Sequence, residues 1–440
     1  MTHHSSFAPA LKPPGLRGAS WRLYSWLVLL MVGLTIGLIS GAMVLLQGLG
    51  VTNLTDELPW GLWITVDLSF IAMGAGGFTL SAAVYIFGLK QYEAIARAAI
   101  WVGLIGYTSA MLALFVDIGR PDRFYHPLLY WNLHSVLWEI TICVMLYTSI
   151  LIIELVPVVI ESTKLGQRPF FVRLAHFLHR LMPVVAIAGL ALSLLHQSSL
   201  GATYGILTAR PFWYSPSAPV LFILSAIAAG ISATLALSIV SGKLMKRQLV
   251  PHNVLMGVAR FAGFAVLAYL YLKIWSWAAT NYYSHVPERV LGAEILAANT
   301  PYDYTFWLGE VLFGALVPAF LLLWGRTRRN YNTLVLAAIM IVLGLVINRW
   351  NMTLSGFVIP LDYSPGVAEI FPVNHYFPSL VEWGVAVGIV SYAAMVFTLG
   401  VRFLNLYPEA RLLTDEDVQT EPAALPEPVP AAPAGQANPA

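Results

Sequence analysis

The sequence predicts an all-α fold: a polytopic integral membrane bundle of about ten transmembrane helices, with both termini cytoplasmic. Three observations predict it. Hydrophobic residues make up 58% of the chain and charged residues 10%, whereas a soluble domain carries roughly 25% charged residues. Ten apolar stretches are each long enough to cross a bilayer, for which about 20 residues suffice. The 24 Lys and Arg residues then alternate between the two sides of the threaded chain. With the N-terminus inside, 18 of them fall on inner segments, and six (Arg120, Arg123, Arg210, Lys273, Arg289 and Arg349) on outer segments or outer helix ends. The positive-inside rule fixes the topology from that asymmetry.

The helices follow in order. The first, Ser25–Leu49, comes after a basic N-terminal segment (1–24). It is too long for a signal-peptide core and no small-residue cleavage site follows, so it reads as an uncleaved helix. The second, Trp60–Leu89, opens on Trp60 and Trp63. Its Gly74, Gly76 and Gly77 let another helix or a ligand approach closely. The third, Ala94–Val116, leaves the inner side past Lys90 and Arg97. The fourth, Leu133–Ile160, starts beside Tyr130 and Trp131, and the fifth, Phe177–Leu200, follows a basic inner loop. The sixth, Pro219–Ser241, begins after Trp213 and Tyr214 and ends before Lys243, Lys246 and Arg247. The seventh, Gly257–Ala279, ends at Tyr282 and Tyr283, and the eighth, Thr305–Gly325, ends at Arg326, Arg328 and Arg329. The ninth, Leu334–Trp350, is short, with Asn348, Arg349 and Trp350 at its outer end. The tenth is Ser379–Phe403. Trp and Tyr at these boundaries form the aromatic belts of membrane interfaces. The transmembrane domain therefore covers 25–403. The remainder, 404–440, turns acidic and then Pro- and Ala-rich from Tyr407, and is expected to be a disordered cytoplasmic tail.

One cysteine, Cys143, rules out a disulfide within the chain, a CxxCH haem attachment and an iron–sulfur cluster held by this chain alone. The outer connections are long and rich in aromatics, Pro and Gly, whereas the inner ones are mostly short and basic. Long structured loops on one face suggest a docking surface there. Merely covering the helix ends is the plainer alternative.

Ionisable residues inside a bilayer cost several kcal/mol each and default to functional hypotheses. Asp67 lies about 10 Å in from the outer end, and Glu139 about 9 Å, at 1.5 Å per residue. Glu310 and Glu382 come similarly early in helices that start outside. His196 nears the outer end of its helix, and Asp117 and Arg349 end theirs there. Asp67, Asp117, His134, Glu139, His196, Glu310, Arg349 and Glu382 are thus expected to converge in the outer leaflet, with Glu154 in the inner half. Interhelical salt bridges that fix packing are the bland reading of each residue. As a set, they suit proton-coupled chemistry on a lipid-soluble molecule. Quinone reduction takes two electrons and two protons, and needs hydrogen-bond partners for both ring oxygens and groups that exchange protons. Haem b is the rival and needs two histidines facing each other across helices. His134 and His196 are candidate outer ligands, but no helix carries a mid-membrane pair.

Six strings in order carry a family resemblance: PWGLWITVDL (Pro59–Leu68), GAGGF (Gly74–Phe78), NLHSVLWE (Asn132–Glu139), HQSSLG (His196–Gly201), FWLGEVL (Phe306–Leu312) and YFPSLVEW (Tyr376–Trp383). The chain resembles the polysulfide-reductase type (NrfD-like) membrane subunits, and within them the hydrogenase-2 type (HybB-like), over about Trp21 to Arg402. The resemblance implies a ten-helix subunit in a bacterial inner membrane. It would exchange electrons between quinone, as menaquinone or ubiquinone, and a ferredoxin-like 4Fe–4S subunit outside. It would hold no haem or cluster of its own. The resemblance nominates Glu139, His196, Gln197 and Asp67 around the quinone, with His134 and Glu382 nearby. Asp117, Arg120, Asp122 and Arg123, in the string DIGRPDRF, are expected to shape the docking loop. Glu154 and Glu310 are candidate steps of a proton path. The catalytic partner is open between a hydrogenase, a molybdenum enzyme and a multihaem cytochrome.

Two other classes remain. A secondary transporter would place charges near the midplane within inverted repeats. Here no convincing internal repeat is found and the charges sit off-centre. A purely structural anchor for an outer enzyme would need no buried acids.

Overall fold

The computed structural model describes residues 13–16, 20–56, 58–298, 301–358 and 376–412. Ten of its helices are long and apolar enough to cross a membrane, so the chain is a multi-pass integral membrane protein. They are α1 (Trp21–Gln47), α2 (Leu62–Tyr85), α3 (Glu93–Asp117), α4 (Val136–Ser162), α5 (Pro169–Gly205), α6 (Ala218–Met245), α7 (His252–Tyr283), α8 (Tyr304–Leu323), α9 (Tyr331–Val358) and α10 (Leu380–Phe403).

Local chemistry explains several boundaries. Ser135 caps α4 by accepting from the Trp138 amide at 3.3 Å. Ser379 and Glu382 form a reciprocal capping box on α10, which satisfies two otherwise orphaned donors. The first position of α5 is Pro169, where a missing N–H costs nothing. This helix has 37 residues, about 55 Å at 1.5 Å per residue, and outruns a hydrocarbon core of about 30 Å. It starts eight residues before the expected Phe177, because its first turns carry Arg173, His176, His179 and Arg180 and so do not register as apolar. The ninth helix also runs past the expected Trp350, to Val358. Its last turns contain Asn351, Thr353 and Ser355, yet these are buried, with Thr305 donating to Asn351 at 3.0 Å and Tyr204 paired with Thr353 at 3.4 Å. Arg349 is therefore not at a helix end but nine residues inside one.

The start of the expected tail belongs to the fold. Tyr407 is buried and donates to Ser238 at 3.0 Å, and Arg411–Leu412 pairs antiparallel with Arg247–Gln248. The rest of that segment, 413–440, lies outside the described residues, as do 1–12 and 359–375.

The helices pack as two rings and a pair. Helices α2, α3, α4 and α5 close one four-helix ring, and α6, α7, α8 and α9 close a second. Helices α1 and α10 pair with each other and lie against α3 and α2. Each ring uses four consecutive crossings, so both start from the same, basic-poor end. The sequence carries no visible repeat, yet the architecture has one, in parallel rather than inverted sense. The rings meet chiefly along α2 and α6, where Gly76 and Gly230 sit backbone to backbone: a Cβ on either would strike the other's main chain. Gly37 meets Gly388 between α1 and α10 in the same way, and Gly314 meets Gly344 between α8 and α9. Small residues of this kind allow the close packing that holds helices together in lipid. Packing thus accounts for the GAGG string: Gly74 faces Tyr107 and Gly103, and Gly77 faces the Ala99 carbonyl.

Gly230→Val is expected to push α6 off α2 at a cost of about 1–3 kcal/mol or more, seen as a lower thermal unfolding midpoint in detergent. Gly41→Val, at an open position of α1, should leave the midpoint near that of the parent.

Candidate functional site

The first ring encloses a buried polar string. Asp67 on α2 is 3% exposed and its Oδ1 has no hydrogen-bond partner. His196 and Gln197 on α5 are fully buried. Neither ring nitrogen of His196 is partnered; Gln197 donates from Nε2 to the Ile71 carbonyl at 3.3 Å and keeps Oε1 unpartnered. Tyr107 of α3 lies 5.5 Å from the His196 ring and 4.6 Å from that of Tyr147 on α4, centroid to centroid. Both phenol oxygens and Ser193 Oγ lie near one another, and Tyr107 near Gln197, yet none forms a hydrogen bond of ordinary geometry. Lower on α4, buried Glu154 accepts from Ser81 at 2.8 Å. Two turns further, at the basic-rich end, Glu161 accepts from Arg97 at 2.8 Å and pairs with His179 at 3.1 Å.

Glu139 stands at the other end of this string. It is half-buried in the first turn of α4 and accepts from Ser199 at 2.6 Å. Beside it the segment leading into α4 is exposed, His134 included. Buried polar atoms left unpaired cost about 1–3 kcal/mol each and are rare in native interiors. Their concentration in one ring marks an interior suited to a polar guest. The set mixes donors and acceptors: Asp67 and Gln197 offer acceptors, the Tyr107 and Tyr147 phenols can donate or accept, and His196 does either according to its tautomer. Such a set fits a quinone ring, whose oxygens accept when oxidised and donate when reduced.

The other nominated residues separate from this set. Glu382 is 1% exposed, and its carboxylate accepts from Tyr376 Oη, from the Asn53 amide at 3.0 Å and from the Ser379 amide at 2.8 Å. It ties the start of α10 to the α1–α2 connection. Asp117, the last residue of α3, has a buried, unpartnered Oδ1 and is close enough to act electrostatically on Asp67. It lies in electrostatic reach of Glu382 as well, and is less exposed than the loop it begins. Arg120, Asp122 and Arg123 are exposed. Arg120 donates to Asp122 at 3.0 and 2.9 Å, and that bond holds the Asp122 carboxyl below the usual range. Around them Leu129, Tyr130, Trp131 and Leu133 are each 64–72% exposed.

Glu310 and Arg349 do not join the first ring. They lie in the second, so the single expected cluster is two. Lys273 of α7 forms a buried ion pair with Glu310, which also accepts from Asn348 at 2.8 Å and Asn351 at 2.6 Å. Arg349, 1% exposed, donates to Asn348 at 2.9 Å and Ser225 at 2.8 Å, with its guanidinium 3.9 Å from the Phe222 ring centre. Sequence reasoning missed Lys273 as a buried residue, and missed Tyr107, Tyr147 and Ser193 altogether. Lys273 was discoverable: in the expected helices Gly257–Ala279 and Thr305–Gly325 an acid and a base each lie under two turns from the same end, which invites pairing. Tyr and Ser carry no charge to betray them in an apolar run.

Fold and site together define a ten-helix integral membrane protein with ionisable groups buried toward one end. The chain belongs to the polysulphide reductase NrfD family, whose model matches residues 50–360. It is 34% identical to the integral membrane subunit of menaquinone reductase from Nitratidesulfovibrio vulgaris, over 87% of this chain and 92% of that protein. It is 26% identical to the integral membrane subunit of the Hdr-like menaquinol oxidoreductase of Archaeoglobus fulgidus, over 84% and 90%. It is 27% identical to the probable Ni/Fe-hydrogenase 2 b-type cytochrome subunit of Escherichia coli, over 83% and 88%. The hydrogenase-2 type is thus among the relatives, at lower identity than the menaquinone reductase subunit.

Lys273→Met strands Glu310 and is expected to cost about 3–5 kcal/mol, the usual penalty for one half of a buried pair. The double variant Lys273→Met/Glu310→Met should recover part of that loss, measured by unfolding midpoints in the same detergent.

Proposed function

We propose that this chain is the quinone-reactive membrane subunit of a respiratory oxidoreductase complex in a bacterial inner membrane, oriented with its basic-poor end outward. The observation that carries the reading is the string of unpartnered donors and acceptors in the first ring, which reaches Glu139 beside an exposed aromatic loop. The names of the relatives support a quinone, and menaquinone in particular. Bound quinone supplies a two-electron, two-proton acceptor or, when reduced, donor.

Glu139 exchanges a proton at the mouth of the site, with Ser199 holding its carboxylate in place. His196 hydrogen-bonds a ring oxygen, and Gln197 orients the ring through its free carbonyl. Asp67 is the second proton carrier, and Asp117 beside it discourages both from being charged at once, by like-charge repulsion. His134 lines the approach. Glu382 fixes the α10 end rather than touching the ring. Tyr107, Ser193, Tyr147 and Glu154 form a route by which protons reach the site from Glu161 and His179 at the basic-rich end. Glu310, neutralised by Lys273 in the other ring, stands off this route.

Electrons pass to or from a ferredoxin-like 4Fe–4S subunit seated on the exposed loop of Arg120, Asp122, Arg123, Tyr130 and Trp131. The iron–sulfur partner in turn joins a catalytic subunit. The chain itself holds no haem in this reading: among the described residues His196 is the one histidine that is buried, and a bis-histidine haem needs two.

Glu139→Gln should lower quinone-linked turnover by about a hundredfold or more while the complex still assembles on a native gel. Full turnover in that variant removes Glu139 from the mechanism, and full turnover with Asp67 also neutralised favours a mere anchor. Mass spectrometry of the tagged chain purified from its host in mild detergent should find a stoichiometric iron–sulfur subunit. A chain that purifies alone and intact counts against the respiratory reading.

A further inference from the structure

The second ring holds a cavity of about 130 Å³ that the proposed reaction does not use. Its charged lining is one-sided, beside the hydroxyls of Ser215, Ser217, Ser276 and Thr280. Lys273, Arg289 and Arg349 line it, and no acidic residue does so among the described residues; Glu310 lies behind Lys273 and is committed to it and to two amides. Three atoms of the lining residues lack any hydrogen-bond partner: Trp277 Nε1, Arg289 Nε and Arg349 Nε. All three are donors. Arg349 is 1% exposed, and no carboxylate forms a salt bridge with it among the described residues. Leaving such donors unmatched in a water-poor interior is costly, so the cavity suits a guest that accepts hydrogen bonds.

The walls narrow the class of guest. Phe212, Trp213, Phe222, Tyr269 and Phe306 surround the donors. A small hydrated anion is better served by polar walls, whereas a flat ring with a few acceptor atoms matches aromatic walls with a few fixed donors. The volume is close to the roughly 150 Å³ that holds a single six-membered ring in an engineered apolar cavity, and the cavity is partly open, so a fused second ring and a tail can extend out of it.

We propose that this cavity is a second binding site for a quinone-type ring, and that it prefers the oxidised form. The proposal rests on the chain being quinone-reactive, as argued above. The preference follows from the donors. A quinone presents two carbonyl oxygens, which accept from Arg349, Arg289 or Trp277. A quinol's oxygens can accept from the same donors, but its two O–H protons also need acceptors, and none of the unpartnered atoms of the lining is one. The first ring differs, since Asp67, Gln197 and Glu139 can accept from a quinol. One ring of this protein therefore suits both redox states and the other suits one. The second site would keep an oxidised ring within the same subunit as the reactive one.

The test is photolabelling of the purified complex with an azido-substituted menaquinone analogue, followed by peptide mapping. Label is expected in two places, on α4–α5 and on α7 or α9. Trp277→Phe removes one donor and keeps an aromatic ring, and Arg349→Gln removes the buried charge. Each should lower the α7–α9 label about tenfold, the effect of losing one strong hydrogen bond, and leave the α4–α5 label in place. Excess unlabelled quinone should displace both labels, whereas excess 1,3-dihydroxynaphthalene, a diol that cannot be oxidised to a quinone and so leaves the probe intact, should displace the α4–α5 label alone. Label confined to α4–α5 overturns this proposal and leaves the reading of the first ring standing. So does α7–α9 label that survives both variants, or that the diol displaces as well as quinone. Displacement from α7–α9 by inorganic phosphate at unchanged α4–α5 label overturns it in favour of an anion site. Absence of label from both places overturns the quinone-reactive reading itself.

Discussion

The contact between Gly76 and Gly230 is the constraint on which the rest of the molecule depends. Lipid gives two apolar helices no hydrophobic reason to associate, so close packing has to hold them. Here α2 and α6 touch through bare backbone. Each is the first helix of its ring and is shared with neighbours on several sides: α2 packs on α3, α5, α9 and α10, and α6 on α3, α5, α7 and α9. A wider crossing would separate all of these together. It would also open to lipid the polar side chains that each ring encloses, where an unsatisfied backbone or side-chain group is expensive.

The two interiors that this crossing joins have opposite characters. The first is acidic, with Asp67, Glu139 and Glu154 and no buried cation of its own among the described residues. The second holds Lys273 and Arg349 against the single carboxylate of Glu310. At the basic-poor end an aromatic knot stands between them. Trp60 stacks on Trp213 at 5.6 Å, and Trp213 meets Phe357 at 4.8 Å and Tyr204 at 5.1 Å, between ring centres. Trp213 also donates from Nε1 to the Met352 carbonyl at 2.8 Å. The knot draws on the lead-in to α2, on α5, on the α5–α6 connection and on α9. It therefore fixes the two rings relative to each other where their polar groups lie.

Much of this was legible in the sequence. Apolar length alone located all ten helices, because crossing a bilayer is a requirement on composition that no tertiary contact relaxes. Errors occurred where helices leave the apolar zone. The amphipathic start of α5 and the polar end of α9 are helical because neighbouring helices satisfy Asn351, Thr353 and the residues around them. That information lies in the neighbours and not in the segment. Charged residues were found for the same reason that helices were: Asp67, Glu154 and Glu310 stand out against apolar surroundings. Which of them share an interior was not legible, since depth along a helix says nothing about azimuth or about which helices close into a ring. The partition of Glu310 and Arg349 away from Asp67 and His196 needed the fold.

The opening stretch of α8, Tyr304–Leu316, is a π-helix of 13 residues with Glu310 near its middle. Its hydrogen bonds reach one residue further than those of an α-helix, so each turn accommodates more chain. In genetic terms, this stretch resembles an insertion that the membrane tolerates. Loss of one codon from it would let the segment relax toward an ordinary α-helix, with nearly the same hydropathy and length. Side chains outside the stretch would nearly keep their bearing, because the wider turn had absorbed the extra residue, while those inside it would be re-aimed around the axis. A deletion between Glu310 and the end of the stretch would turn its carboxylate away from Lys273 and Asn351 while leaving the helix able to span. The reading frame of this helix, rather than its composition, is what lineages of the family must keep if they keep the buried pair.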